Sequence, residues 1–235
     1  MAPVCLAGVA PIVAACVTYA QTSHSGADGL AIAGLFLGMV LAERFPVPVE
    51  GVDAGGVTLG FVFAIAAIVL FGWQAGVIVA AGGPTVTHLI GHRPPLRVAY
   101  NGSMFALSAL AGGLVIEHIP ESSVGLLIVR VAVCAFLYNW VVNLVLISAV
   151  LAASSGKPFV KLIWDNAKQT TAPFALMSSA ALMLVVLWER SPGSSSAWLW
   201  PSAFPCRSRA STPAASPSAS SSPSPRSCFS AGRRG

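Results

Sequence analysis

The chain has 235 residues, 55% of them hydrophobic and only 9% charged, with a formal net charge of +5. A soluble domain carries roughly 25% charged residues, so an ordinary cytoplasmic globule is excluded. Nucleic-acid binding is also a poor fit to the basic balance. Of the 13 basic residues, Arg207, Arg209, Arg226, Arg233 and Arg234 lie in the C-terminal tail, and the rest, apart from Arg130, sit in short loops at the ends of apolar runs. That is the pattern of orienting charge in a membrane protein.

In chain order, Ala2–Ala20 is long and apolar enough for a first membrane span, and Ala27–Leu41 for a second, shorter one; about 20 apolar residues cross the hydrocarbon. The first segment is read as an uncleaved span. Thr18-Tyr19-Ala20 loosely resembles a cleavage site and Val13-Ala14-Ala15-Cys16 a lipoprotein box, but no basic residue precedes either. The run Val57–Ile90 is too long for one crossing: as a single helix it would reach about 51 Å, against a core of roughly 30 Å. Two short helices turning near Gly72-Trp73-Gln74 are expected, with a re-entrant hairpin as the rival. Val98–Ile116, Val124–Ala152 and Pro173–Trp188 complete an all-α, polytopic bundle of about seven membrane segments over residues 1–190. Cys5, Cys16 and Cys134 fall within apolar runs, where they serve as small core residues, and the odd cysteine count gives no disulfide framework.

Charge placement favours the split. With seven segments and the amino terminus inside, Arg44, Arg93, Arg97, Lys157, Lys161 and Lys168 fall on one side. The opposite loops before the last span hold Asp28, Glu117, Glu121 and two histidines, but no Lys or Arg. This is a positive-inside bias; a single helix at Val57–Ile90 would place Arg44 opposite Arg93 and Arg97.

Residues 191–235 break the pattern. They are rich in Ser, Pro and Arg, contain no Asp, Glu or Lys, and are expected to be disordered because they cannot bury enough apolar surface to fold. An odd number of spans also places this arginine-rich tail outside, against the bias. We therefore hypothesise that the sequence beyond about Ser191 is out of frame and replaces a final helix. Translating the other two frames of the gene tests this, and the absence of an apolar span from both would refute it.

Few residues carry a chemical signal. His88 and His92 are spaced as ligands on one helix face, but no carboxylate or cysteine completes a site, and interfacial histidines are the expected reading. Ser154-Ser155-Gly156-Lys157 echoes a phosphate loop, yet the earlier glycine is missing and Pro158 stands where Ser or Thr should contact magnesium. Asn101-Gly102-Ser103 matches a glycosylation sequon beside the basic loop, on the wrong side for modification. Arg130 lies within an apolar run, where an ionised side chain costs about 2.5 kcal/mol or more unless paired or hydrated. Asn139 and Asn143 follow on the same segment, four apart and near one helix face. Asn101, Ser103 and Ser108 are placed to oppose them from the preceding span. A polar ligand pocket of Arg130, Asn139, Asn143 and Asn101 is one reading. The other has Arg130 snorkelling to an interface while the asparagines join helices. No catalytic residue, metal ligand set or cofactor motif is found, and enzyme activity within this chain is not expected.

Four strings together suggest a family: Ala42-Glu43-Arg44-Phe45-Pro46-Val47, Gly55-Gly56-Val57-Thr58-Leu59, Arg93-Pro94-Pro95-Leu96-Arg97 and Ala172-Pro173-Phe174-Ala175-Leu176-Met177. The arrangement over residues 1–190 resembles the amino-terminal multispan domain of actinobacterial signalling proteins that carry a GGDEF diguanylate cyclase or an HD-type phosphohydrolase domain. The resemblance implies a sensory or anchoring module for cyclic di-GMP signalling in the plasma membrane. It also implies a last helix leading into the cytoplasm, a homodimer, and an unidentified small-molecule signal. The chain departs from the pattern where the effector should begin: its glycine pairs precede Val57, Pro84 and Leu114, and none of its histidines precedes an aspartate. The alternative is a small membrane transporter or transporter subunit, compatible with the Gly82-Gly83-Pro84 interruption and a buried arginine. Against it, no inverted repeat and no pair of intramembrane carboxylates is evident.

Overall fold

A computed structural model describes residues 2–22, 26–46, 58–120 and 122–190, with the backbone alone at 2–3 and 141–143. The expected tail at 191–235 lies outside the described residues. Among those residues no strand occurs. The helices are α1 (Ala2–Gln21), α2 (Gly26–Arg44), α3 (Gly60–Ile90), α4 (Pro95–Ile116), α5 (Val124–Ala135), α6 (Leu144–Ser155) and α7 (Phe159–Glu189). A π-helical segment, Phe136–Asn143, joins α5 to α6, so that Val124–Ser155 forms one long rod.

Helix is what these segments require if lipid surrounds them, because only internal hydrogen bonding can satisfy the backbone there. Polar side chains inside the rods turn back on their own backbone. Thr18 donates to the Ala14 carbonyl at 2.7 Å, Thr171 to Ala167 at 2.6 Å and Ser178 to Phe174 at 2.7 Å. The ends are locally encoded. Pro95 opens α4, where its missing N–H is no loss. The Ser123 hydroxyl accepts from the Leu126 amide at 3.3 Å to start α5, and Gly156 follows α6 with φ 66°.

Six of these rods are long and apolar enough to cross a membrane by length and composition. Their outward faces support that placement. Leu30, Val160, Leu6 and Leu176 are 78%, 77%, 75% and 73% exposed, and further exposed Leu, Val and Phe side chains lie along the other rods, whereas on α3 they are confined to Leu89 and Ile90 at its end. Soluble monomers rarely leave contiguous apolar patches above a few hundred Å². By contrast α3 is apolar on all sides and largely buried, with Ala64, Ile65, Ala66, Ala67 and Ile68 fully covered. It is the axis of the bundle, touching α1, α2, α4, α5 and α7.

The third rod is not straight. Gly72 has φ 85° and ψ 176°, a region open essentially to glycine alone. Beyond it the chain doubles back: a Cβ placed on Gly76 would strike the Ile68 side chain and come within 3.1 Å of the Ile68 Cα. Eight residues of straight helix would separate these by about 12 Å. The two arms of α3 also meet the same side chain. A Cβ on Gly60 would lie 2.9 Å from Met39 Sδ, and one on Gly83 would strike the Met39 side chain. The arms 60–71 and 73–90 therefore run antiparallel, about 18 Å and 27 Å long at 1.5 Å per residue. The turn falls at the expected glycine, and Arg44 and Arg93 follow helix ends on the same side of the bundle. The first arm is shorter than the roughly 30 Å core. Six crossing-length rods, one of them folded back, thus stand where about seven segments were expected.

Two boundaries differ from the sequence reading. Helix α2 continues through Glu43 and Arg44. Helix α7 begins at Phe159, well before the expected start at Pro173, and carries that proline internally. Lys161, Asp165 and Lys168 are polar turns of the same helix, Lys168 lying 5.2 Å over the Trp164 ring. A proline removes one donor and is tolerated in apolar rods when neighbours hold the helix; here Phe174 packs edge-on against Phe61 at 5.3 Å.

Candidate functional site

Polar residues mark both ends of the bundle. At the end carrying the Gly72 turn, Arg130 projects from the second turn of α5 and is 6% exposed. It interacts electrostatically with Glu117, the C-cap of α4, and Glu189, the last residue of α7. The same end is braced by rings. Phe71 meets Trp188 edge-on at 5.9 Å, and Trp73 lies so close to α4 that a Cβ on Gly113 would sit 2.8 Å from its Cα. One turn below Arg130, Cys134 is buried beside Gly112. Arg130 thus carries its charge near acids at two helix ends.

Asn101 sits at the opposite end, on the second turn of α4. Its Nδ2 is 2.9 Å from His88 Nε2 on the last turn of α3. Sixteen residues, about 24 Å of helix, separate it from Glu117, so Asn101 and Arg130 do not share a pocket. Ser103 faces α1, donating to the Cys5 carbonyl at 3.2 Å, and Ser108 donates to its own Met104 carbonyl at 2.9 Å. Asn139 is buried in the π-helical segment. Asn143 closes that segment, and its side chain lies outside the described residues. His88 and His92 do not form one helical face: His92 is exposed, beyond the helix, with φ 51°.

Sequence inspection missed a third group, running inward from the end of α2. Thr58 donates to Glu43 Oε1 at 2.7 Å, and Glu43 interacts electrostatically with Tyr138. Tyr138 is 1% exposed and packs against Phe61 at 5.4 Å and Phe105 at 6.3 Å. Its hydroxyl has no hydrogen-bond partner among the described residues. A π-helical turn widens the rod at this position, and such turns recur at functional sites. Only Glu43, an acid at the edge of an apolar run, was a visible signal for this group. Among the described residues no three His, Cys, Asp or Glu side chains converge as a metal set.

No protein-family model matches this chain, and no curated protein matches it.

Proposed function

We propose that the chain is a multi-pass plasma-membrane sensory or anchoring module for cyclic di-GMP signalling. The observation that carries this reading is the convergence of the strings on which the family resemblance rests. Glu43, from the first string, accepts the hydrogen bond from Thr58 of the second. Phe174, from the fourth, packs against Phe61 just beyond the second. The third string forms the turn between α3 and α4. The first, second and fourth strings, far apart in sequence, thus meet around the first turn of α3.

In this reading α7 is the element that passes a change onward. It touches the Gly72 turn through Trp188 and the centre of the bundle through Phe174. A small-molecule signal would act by binding two arrangements of these helices unequally, since equal affinity shifts nothing. A homodimer would supply the pairing that an attached cyclase requires.

The test attaches an output domain. Residues 1–190, one added apolar span and a GGDEF domain are expressed together, and cyclic di-GMP is measured. Arg130→Ala is expected to change output at least threefold in either direction. Equal output from the parent and the variant, at equal membrane abundance, removes the support for a sensory role.

A transporter is the second reading, favoured by the fold-back at Gly72 inside the most buried rod with Pro84 in its returning arm. Broken helices of this kind line substrate sites in transporters. The DNA downstream distinguishes the two. A GGDEF or HD coding region in a shifted frame selects signalling, and an adjoining ATPase or permease gene selects transport.

A further inference from the structure

The turn between α3 and α4 combines two features that the signalling reading does not use. The first is a cluster of positive charge. Arg93 and Arg97 both interact electrostatically with His88, whose ring is held by Asn101 at 2.9 Å. Both arginines are exposed, and Leu89, Ile90 and Leu96 beside them are 59%, 60% and 57% exposed. Arginines among bare leucine and isoleucine suit the boundary between acyl chains and headgroups, where each part of the surface meets its own solvent.

The second feature is an apolar groove that begins beside this cluster. Cys5, Val9 and Ile12 of α1 form one wall, Val98 and Gly102 of α4 the other, and Thr85 of α3 the floor. Its volume is about 210 Å³, more than the roughly 150 Å³ that accommodates a benzene-sized apolar molecule. Val98 adjoins Arg97 in the chain. Thr85 lies one turn before His88 on the same helix face. The cationic cluster therefore stands at the mouth of the groove.

We propose that this groove and cluster form a site for one anionic glycerophospholipid, an acyl chain lying along Val9, Ile12 and Gly102 with the phosphate between Arg93 and Arg97. Charge complementarity selects an anionic headgroup over a zwitterionic one, because both arginines lie near enough to His88 to act on it electrostatically. His88, fixed by Asn101, sets the rim against which the headgroup rests. This site depends only on membrane placement and is independent of the signalling role.

The test uses the full chain in mild detergent with phosphatidylglycerol or phosphatidylcholine added, and native mass spectrometry counts retained lipid. One phosphatidylglycerol per chain is expected. Arg93→Gln and Arg97→Gln are each expected to weaken retention about fivefold, as one basic residue near anionic lipid contributes. Val9→Trp, which fills the groove and leaves the charges intact, is expected to weaken it as well. Arg44→Gln is the control and should change nothing. Equal retention of both lipids overturns the proposal, as does an equal loss from Arg44→Gln, which would reveal only general surface charge. Displacement by inorganic phosphate alone would mark an anion site without a lipid and also overturns it. If the arginine variants fail to fold, unaltered retention by Val9→Trp is enough to reject the groove.

Discussion

The two ends of this bundle handle charge in opposite ways. At the Gly72 end a buried arginine is drawn to two acids, and aromatic rings bind the fold-back to α4 and α7. At the Arg93 end the arginines are exposed, with histidine rather than carboxylate beside them. One end is built to hold helices in place. The other leaves its charge facing whatever adjoins the protein. The comparison teaches that polarity within an apolar chain has no single meaning: Arg130 braces the fold, whereas Arg93 and Arg97 are available to a partner.

The largest effect is expected from reversing the charge at the braced end. Arg130→Glu buries a carboxylate near two other acids and should destabilise the bundle by about 3 kcal/mol, since a buried charge without a partner is costly. Adding Glu189→Arg should recover part of that loss. Reversible unfolding in mixed micelles measures both, and no recovery would mean that Arg130 and Glu189 are not coupled.

Next comes the turn itself. Gly72→Val forces a β-branched residue into a glycine-only conformation, at about 3 kcal/mol, and an unchanged unfolding midpoint would show that the chain does not fold back there. Midway between the ends, Tyr138→Phe removes a buried hydroxyl without a partner among the described residues. It should leave stability unchanged or raise it by about 1 kcal/mol; a clear loss would reveal a hydrogen bond that the fold does not account for.

The smallest effect is expected at the open end. Arg93→Gln with Arg97→Gln should alter stability by no more than about 0.5 kcal/mol, as exposed substitutions away from packing usually do. A large loss would abolish the distinction between the two ends.

Much of the architecture was legible because lipid imposes strict length rules. The apolar runs bounded by Arg44, Arg93 and Lys157 gave the rods, and the excessive length of Val57–Ile90 located the Gly72 turn without any structural input. Helix α7 was misread because Pro173 looks like a boundary, and its first polar turns resemble a loop. Proline inside an apolar rod is held by packing, which the sequence does not display. The grouping of polar residues was far less legible. The order of spans set Asn101 opposite the arginine segment and helical spacing tied His88 to His92, whereas the fold joins Asn101 to His88 across a hairpin. Glu117 and Glu189 lie far from Arg130 in the chain, and only the antiparallel course of α4, α5 and α7 brings them near it.

The folding-back of α3 within a bilayer is tested most directly by the sidedness of three positions. With the native cysteines replaced, Arg44→Cys, Gln74→Cys and Arg93→Cys are each exposed to a membrane-impermeant maleimide in intact cells and again after permeabilisation. Labelling of the 44 and 93 positions only after permeabilisation, with Gln74→Cys never sharing their face, is the expected result. Finding positions 44 and 93 on opposite faces would mean that α3 crosses as one straight rod and would contradict the hairpin outright.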